Sequence, residues 1–461
     1  MHRWLAWNIL FPLHERLKGH PTLQILREME RADHFSAEEL EAFCNDRLRQ
    51  FVASCYAHVP YIRSRMQAIG LQPSGIRTAA DLARLPVMRK TDIRQNRAAL
   101  RSTAAGRLAS LSSGGSTGEP LVFDISRRRT ASRVACRQRI SRWWGVSIGD
   151  PELAIWGSPL ELNRQDRVRA LRDRLLATRL LSAYELQDET MSRYLDIIET
   201  GRWRHIFAYP SAIYRLCLHA RKAGRKLHHA GIRVIFVTSE MLYQYQRELI
   251  RDTFGCPVAN GYGGRDSGFI AHECPQGGMH ILADATIAEV VGPDGQPVPP
   301  GQPGEIVVTD LYSEDTPFLR YATGDVGVLS TRRCPCGRPL PLLETIEGRT
   351  NDAVVTPDGR VMHGQSLIGL LMEIPGIEEF RIFQRRADCF HVQLVRSQQY
   401  RRASEDAIRK SWSVRLRSPL EVTFEYLQSL PRERSGKFRH LVSELEPGQT
   451  AREQAPTGAN G

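Results

Sequence analysis

Leu111-Ser-Ser-Gly-Gly-Ser-Thr-Gly-Glu-Pro120 decides how the rest of the chain is read. Three glycines, four hydroxyl side chains and a closing proline precede the apolar Leu121, Val122 and Phe123. Glycine lets consecutive backbone N–H groups turn into one concavity, and such a nest binds anions. Ser112, Ser113, Ser116 and Thr117 add hydroxyl donors around Gly114, Gly115 and Gly118, so the loop suits a phosphate chain. It is not a Walker P-loop, because no Gly-Lys-Ser/Thr closes it and no helical pattern follows at once. On composition alone a flexible surface loop is an equal reading, and the motifs further along decide between the two.

The frame around the loop is a large globular chain. Its 461 residues, 41% hydrophobic and 25% charged, can bury an extensive core in two or more domains. The formal charge of +12 owes much to arginines at 127, 128, 129, 133, 137, 139 and 142, and again between Arg164 and Arg174. No aromatic residues interleave with them and no RNA-recognition strand is present, so solvated helix faces are expected here and not a nucleic-acid surface. The apolar stretch Met1–Pro12 is too short to span a bilayer. Packing against the core is the favoured reading of it, and a peripheral membrane contact the alternative. Nine scattered cysteines argue against a disulfide scaffold and for a reducing cytoplasm. The oligomeric state is left open, a homodimer included.

Along the chain, residues 13–105 read as mostly helical, with a capping box at Ser36-Ala-Glu-Glu39. After the glycine loop, Thr130–Trp144 continues helically. Short apolar runs at Glu152–Gly157, His205–Pro210 and Ile232–Thr238 then alternate with helical patterns at Asp188–Thr200 and Ser211–Ala223. This alternation predicts a layered α/β domain, whose ligands gather beyond the strand C-termini. The loops in question hold Gly157, Tyr209-Pro-Ser211 and Thr238-Ser-Glu240, and Ser239 and Glu240 are counted among the cofactor-binding residues. A second glycine-rich loop, Asn260-Gly-Tyr-Gly-Gly-Arg-Asp-Ser-Gly268, precedes strand-like Thr286–Val291 and Glu305–Asp310. Domain boundaries are expected at 1–350, 351–447 and a disordered tail 448–461. The middle segment reads as a small α+β unit closed by Pro431-Arg-Glu-Arg-Ser-Gly-Lys-Phe-Arg439.

Ser112–Pro120, Tyr262–Asp266, Tyr321–Asp325, Gly348–Asp352 and Ser435-Gly-Lys437 stand in the order seen in adenylate-forming enzymes, which the chain resembles over roughly residues 10–445. Its shortness, and Leu121 after Pro120 where many relatives carry lysine, point to the phenylacetate–CoA ligase branch. The opening Leu10-Phe-Pro-Leu-His-Glu-Arg and the hairpin ending His363-Gly364 look like the CapK type within it. The resemblance implies a large multi-sheet α/β domain, a hinge near Asp352 and a small α+β C-terminal lid. It implies ATP, Mg²⁺ and CoA, and activation of a carboxylic acid with an aromatic or otherwise apolar group as acyl-AMP. CoA is the favoured acceptor; a sugar, an amine or a carrier protein is the alternative, as is a catalytically weak polysaccharide-assembly protein keeping the fold.

The resemblance also assigns residues. The Ser112–Gly118 loop holds the β- and γ-phosphates, and Tyr262 followed by Gly263 places a ring on adenine. Asp325 accepts the ribose hydroxyls, and Arg349 faces ribose or phosphate. Lys437 neutralises the forming adenylate. Asp266 stands where relatives often place a Glu that binds Mg²⁺, and Arg265 where many have Thr, so this sequence departs from the common pattern at its metal position. Cys274 with His280, and Cys334 with Cys336, offer soft ligands on two turns for a structural zinc, with His272 as a competing fourth ligand.

Overall fold

The computed structural model describes residues 3–112, 121–157, 173, 175–184, 186–349, 353–431 and 438–445. The chain divides into two compact units, Met1–Ile346 and Glu347–Gly461.

The first unit begins with helices, among them Thr22–Ala32 and Ala37–His58. Ser36 opens the second of these with the expected box: its Oγ accepts from the Glu39 N–H at 3.1 Å, and its own N–H donates to the Glu39 carboxylate at 2.7 Å. A two-stranded ladder follows, β1 (Ala109–Ser112) with β2 (Val122–Ile125), and then an eleven-stranded sheet. The sheet's first strands are β3 (Glu152–Ile155), β4 (Thr178–Leu181), β5 (His205–Ala208), β6 (Val234–Thr238) and β7 (Val258–Gly264). They run parallel in the order β4-β3-β5-β6-β7. Helices Asp188–Thr200, Pro210–Lys222 and Gln244–Phe254 connect them and bury one face in a core of Leu153, Ile206, Ile235, Ile213 and Ile250. That is the βαβ alternation read from the sequence.

Beyond β7 the chain switches to hairpins. These are β8 (Gly268–Glu273), β9 (Met279–Ile281), β10 (Thr286–Val291), β11 (Pro303–Asp310), β12 (Tyr321–Leu329) and β13 (Leu342–Arg349). The order continues β8-β9-β13-β12-β11-β10. Three strands therefore separate β7 from β12, yet side chains of the two touch, so the sheet curls strongly on itself.

The second unit is α+β, as expected. A ladder of β14 (Ala353–Val355) and β15 (Val361–His363) precedes the helix Gln365–Glu373. A four-stranded sheet follows in the order β18-β17-β16-β19, from β16 (Ile377–Arg386), β17 (Cys389–Arg396), β18 (Glu421–Tyr426) and β19 (Leu441–Ser443). Alternate residues Phe380, Ile382, Phe390, Val392 and Leu394 are buried, and Phe390 meets Trp412 of helix Ser404–Leu416 edge-on at 5.6 Å.

Two readings are corrected. The arginine-rich helix Arg127–Trp143 is not a solvated face. Arg129 and Arg139 are fully buried, the first paired with Asp310 at 2.7 Å and the second with Asp33 and Asp284, each at 2.7 Å. Their partners lie more than a hundred residues away in the chain, so composition could not reveal them. The first helical turns are only half packed: Ala6 and Phe11 are buried, whereas Trp4, Ile9, Leu13 and Leu17 face outward. Among the described residues no helix is long and apolar enough to cross a membrane.

Arg137 of the same helix reaches Glu152 at 2.7 Å, and His205 meets the other carboxylate oxygen at 2.9 Å. Burial alone would raise the Glu152 carboxyl, but Arg137 and His205 outweigh it and hold it down to about 2. A carboxyl held below its ordinary range adds stability that is complete above that range and is lost as pH falls toward the folded value. Urea unfolding between pH 5 and pH 2 is therefore expected to steepen its loss of stability in the native chain relative to Glu152→Gln, by on the order of 3 kcal/mol. Parallel curves for the two proteins would contradict this.

Candidate active site

The glycine-rich loop springs from a hairpin. Ser112 is the last residue of β1 and pairs with Val122 of β2, so the loop between them leaves and re-enters one ladder. Residues 113–120, with Ser113, Gly114, Gly115, Ser116, Thr117 and Gly118, lie outside the described residues. The hairpin stem is fixed by Arg97 and Ser110, which donate to the Asp124 carboxylate at 2.5 and 2.7 Å. The Ser112 carbonyl accepts from Arg265 at 3.1 Å. Arg265, which departs from the family pattern, thus ties the foot of the loop to the β7–β8 turn.

The β7–β8 hairpin carries three of the assigned residues, Tyr262, Gly263 and Asp266. The stretch read as a loop is in fact strand β7, a tight turn at Arg265–Ser267, and strand β8. Glycine is needed at 263 because a Cβ there would lie 2.1 Å from the Gly268 carbonyl oxygen. Asp266 is pinned on all sides. Its Oδ1 accepts from the Ser267 N–H at 3.0 Å and its Oδ2 from the Tyr321 hydroxyl at 2.7 Å. Its carbonyl accepts from Arg129 at 2.5 Å and Arg133 at 3.3 Å, residues one helical turn apart on the buried helix. These two arginines escaped the sequence reading; their spacing of four was the available signal.

Tyr262 and Asp325 meet directly. The Tyr262 hydroxyl donates to Asp325 Oδ2 at 2.7 Å and lies 3.3 Å from Thr323 Oγ1. Burial, reinforced by the Asp325 charge, pushes the Tyr262 phenol well above its ordinary value, so it stays a donor. Asp325 is aimed by a bulge. Glu305 faces Val326 and Val307 faces Ala322, so three residues of β12 oppose one of β11. Gly324 takes a left-handed φ of +79° within it, and Thr323 anchors it by donating to the Ile306 carbonyl at 2.9 Å. Bulges of this kind turn a side chain out of the ladder.

The loops beyond β3, β5 and β6 share an edge. Trp156 stacks on Tyr209 with ring centroids 4.0 Å apart. Glu240 accepts from the Ser211 N–H at 3.0 Å, satisfying a free donor at the start of helix Pro210–Lys222. Ser239 before it adopts a left-handed φ of 74°, a strained conformation that packed surroundings must hold. Ser112, Tyr262, Gly263, Asp266 and Asp325 are thus linked through Arg265 and Tyr321, and Glu240 joins the neighbouring loop to the adjacent helix. Arg349 ends β13 with its side chain outside the described residues, as are Asp352 and Lys437.

The thiol cluster assembles as a unit. Cys274 follows β8, His280 lies in β9, and Cys334 and Cys336 sit in the turn between β12 and β13; β13 pairs with β9. The four ligand atoms all lie within 4.8 Å of one another. Cys274 Sγ is 3.5 Å from Cys334 Sγ, and His280 Nε2 is 3.1 Å from Cys336 Sγ. A tetrahedral zinc with Zn–S bonds of about 2.3 Å has ligand edges of roughly 3.8 Å, so the residues fit that ion. His280 Nδ1 is 3.1 Å from the Leu340 carbonyl, which fixes the ring with Nε2 toward the sulfurs. At Gly278 a Cβ would lie 2.6 Å from Cys334 Sγ, so the glycine keeps the cradle open. His272 is not in the cluster: it is buried with Nδ1 3.0 Å from the Glu273 carbonyl and its ring against Phe236.

A curled sheet with parallel and antiparallel halves, a hairpin whose connecting residues are rich in hydroxyls and glycine, and a carboxylate turned out by a bulge suit a nucleotide-dependent ligase of the adenylate-forming kind. Comparison with known proteins agrees. The AMP-binding enzyme family model matches residues 179–311 and the CapK C-terminal domain model residues 354–444. The phenylacetate-coenzyme A ligase of Thermus thermophilus is 27% identical over 76% of this chain and 79% of its own. Protein CapK of Staphylococcus aureus is 23% identical over 80% and 82%. The structure of a 2-hydroxyisobutyryl-CoA ligase in the postadenylation state superposes with a TM-score of 0.73 at 22% identity, covering 90% of this chain and 91% of that one. The chain is a homologue of the adenylate-forming acyl-CoA ligases, with phenylacetate–CoA ligase-like and CapK relatives, and by that homology an AMP-forming ligase.

Proposed function

We propose that the protein activates a carboxylic acid with ATP, forming an acyl-adenylate and releasing pyrophosphate, and then transfers the acyl group to the thiol of CoA. The observation that carries this reading is the Tyr262–Asp325 contact of 2.7 Å beside Asp266 and the stem of the glycine loop. A carboxylate on a bulge can accept both ribose hydroxyls of a nucleotide. The loop supplies donors for the β- and γ-phosphates. Mg²⁺ is held in such sites by one or two carboxylates and by substrate phosphates, and Asp266 provides the first of these. The resemblance assigns Arg349 and Lys437 to the charge around the α-phosphate, and Ser239 and Glu240, just beyond the end of β6, are taken as nucleotide-binding. The reaction is mostly positioning and charge stabilisation, which suits a site built from backbone amides, carboxylates and cations.

The resemblance to phenylacetate–CoA ligases favours an acid with an aromatic or otherwise apolar group; the stacked Trp156 and Tyr209 belong to the core at the ends of β3 and β5 and do not identify it. The acceptor CoA is supported by a structure of the 2-hydroxyisobutyryl-CoA ligase in complex with 2-HIB-AMP and CoA, which shares the fold at a TM-score of 0.59. The CapK C-terminal match favours a second reading for that last step, transfer to a sugar, amine or carrier in polysaccharide assembly. Adding CoA to a stalled acyl-adenylate distinguishes the two. The cluster of Cys274, His280, Cys334 and Cys336 is assigned a structural zinc. Nine free cysteines suit a reducing cytoplasm.

Asp325→Ala is expected to weaken ATP binding by about 2–3 kcal/mol, because it removes a charged acceptor of two hydrogen bonds and leaves the Tyr262 hydroxyl unpaired with it. Isothermal titration with ATP and Mg²⁺ reads the effect, and unchanged affinity would remove the ribose assignment.

A further inference from the structure

The N-terminal helical run carries a feature that the ligase reading does not use. Helical segments Arg3–Leu5, Ala6–Leu10 and Phe11–Lys18 follow one another without a break, the middle one π-helical. Leu5, Ile9, Leu13 and Leu17 recur every four residues, which puts them on one stripe. That stripe faces solvent: Leu13 is 52% and Leu17 80% exposed, with Trp4 beside it at 60%. The opposite face, with Ala6, Phe11 and Glu15, is the buried one. Apolar residues therefore lie on both sides of this helix, and only one side is covered.

The exposed charges carried by the run itself have one sign, with Arg3 also reaching the Asp150 carboxylate at 3.4 Å. Arg3, Arg16 and Lys18 are exposed on the run. Its single acid, Glu15, is turned inward against His14, His20 and Thr22. A cavity of about 430 Å³ flanks the same helix, lined by Trp7, Asn8 and Pro12 on one side and by Arg27, Glu30 and Arg142 on the other. Arg142 sits 3.9 Å over the Trp7 ring. Leucines and a tryptophan on one face, with cations at its margins, are the make-up of a helix that lies in a membrane interface. Long cationic side chains there bury their stems and reach the headgroups.

A second copy of the chain fits the stripe less well. Five side chains fall far short of the roughly 20 residues a side that a standard interface uses. Pairing two stripes would also bring the basic margins of two chains, each of formal charge +12, together. We infer that residues 3–18 dock the protein on an anionic lipid bilayer, with Trp4, Leu5, Ile9, Leu13 and Leu17 inserted and the arginines at phosphate level. The bilayer surface is negative where the helix is positive, and attraction falls with salt over a Debye length.

Flotation of the full chain with vesicles tests this. Vesicles of phosphatidylcholine containing about a third phosphatidylglycerol should carry the protein, and pure phosphatidylcholine should carry at least tenfold less. Leu13→Gln/Leu17→Gln should lose at least tenfold of the anionic-vesicle binding at an unchanged melting temperature. Arg16→Glu/Lys18→Glu, which leaves the apolar stripe whole, should lose a comparable part and with it the salt dependence. Equal binding to both vesicle types, or no binding to either, overturns the inference. So does unaltered vesicle binding by the leucine variant together with a halving of its mass in sedimentation, which would assign the stripe to a second copy.

Discussion

Lys437→Ala is expected to slow acyl-adenylate formation by about 100-fold or more while leaving transfer from pre-made acyl-AMP to the acceptor nearly untouched. The lysine lies in Ser435-Gly-Lys-Phe438, where the resemblance to adenylate-forming enzymes assigns it to the first half-reaction. As the acid attacks, negative charge grows on oxygens of the α-phosphate, and an ammonium placed there stabilises the transition state more than the ground state. Removing one such donor typically costs 10² to 10³ in rate. The transfer step expels AMP from a carbonyl and does not develop the same charge. Relatives are expected to turn the small domain about a hinge between the steps, which carries the lysine away. Asp352→Pro, at the position the resemblance gives the hinge, should show the opposite pattern, because it restricts the backbone that would turn. Two single-turnover assays separate these effects, one from ATP and acid and one from synthetic acyl-AMP. Equal losses in both half-reactions for Lys437→Ala would reject the division of labour.

The second large effect concerns the thiol cluster. Purified protein is expected to hold about one zinc per chain, and Cys334→Ser to lose the metal and several kcal/mol of stability, because a structural zinc contributes folding free energy. The location explains the size of the effect. Two hairpins meet at β9 and β13, and the four ligands come from both, so the ion would close the sheet where it curls. Burial pushes the Cys274 thiol up to about 12, whereas at Cys336 burial is outweighed by hydrogen bonds from Arg338 and the neighbouring thiols, which hold that thiol down, so in the empty cluster it is Cys274 that keeps a proton a cation must displace. Zinc affinity should therefore rise with pH. Metal analysis and thermal unfolding of the native chain and Cys334→Ser check this. Metal-free protein of full stability would remove the ion from the account.

The middle of the parallel half, β3, β5 and β6, was legible, because apolar runs alternated with helices of the right length; the short β4 and the glycine-rich β7 were not. The site was legible as a set of short motifs but not as a geometry. Tyr321–Asp325 could be recognised in sequence, but the bulge that aims Asp325 depends on its register with β11, a non-local quantity. The zinc ligands were legible by residue type, yet the choice between His272 and His280 was not. The two are cross-strand partners and face the same side of the sheet. Their lateral neighbours decide: His280 lies beside β13 and its Cys334–Cys336 turn, whereas His272 lies beside β7. The arginine helix misled for a similar reason, since Asp33, Asp284 and Asp310 reach it from distant parts of the chain. Solvated and buried arginines look alike in a sequence.

The acid is the open variable, so the most direct test works before it is known. The full chain with ATP, Mg²⁺ and labelled pyrophosphate, but no CoA, is offered a panel of aromatic and aliphatic acids. The account predicts that at least one acid drives label from pyrophosphate into ATP, because acyl-adenylate formation is reversible while the acyl group has nowhere to go. ATP cleaved to ADP and phosphate, or ATP bound with affinity yet no exchange with any acid, would contradict it.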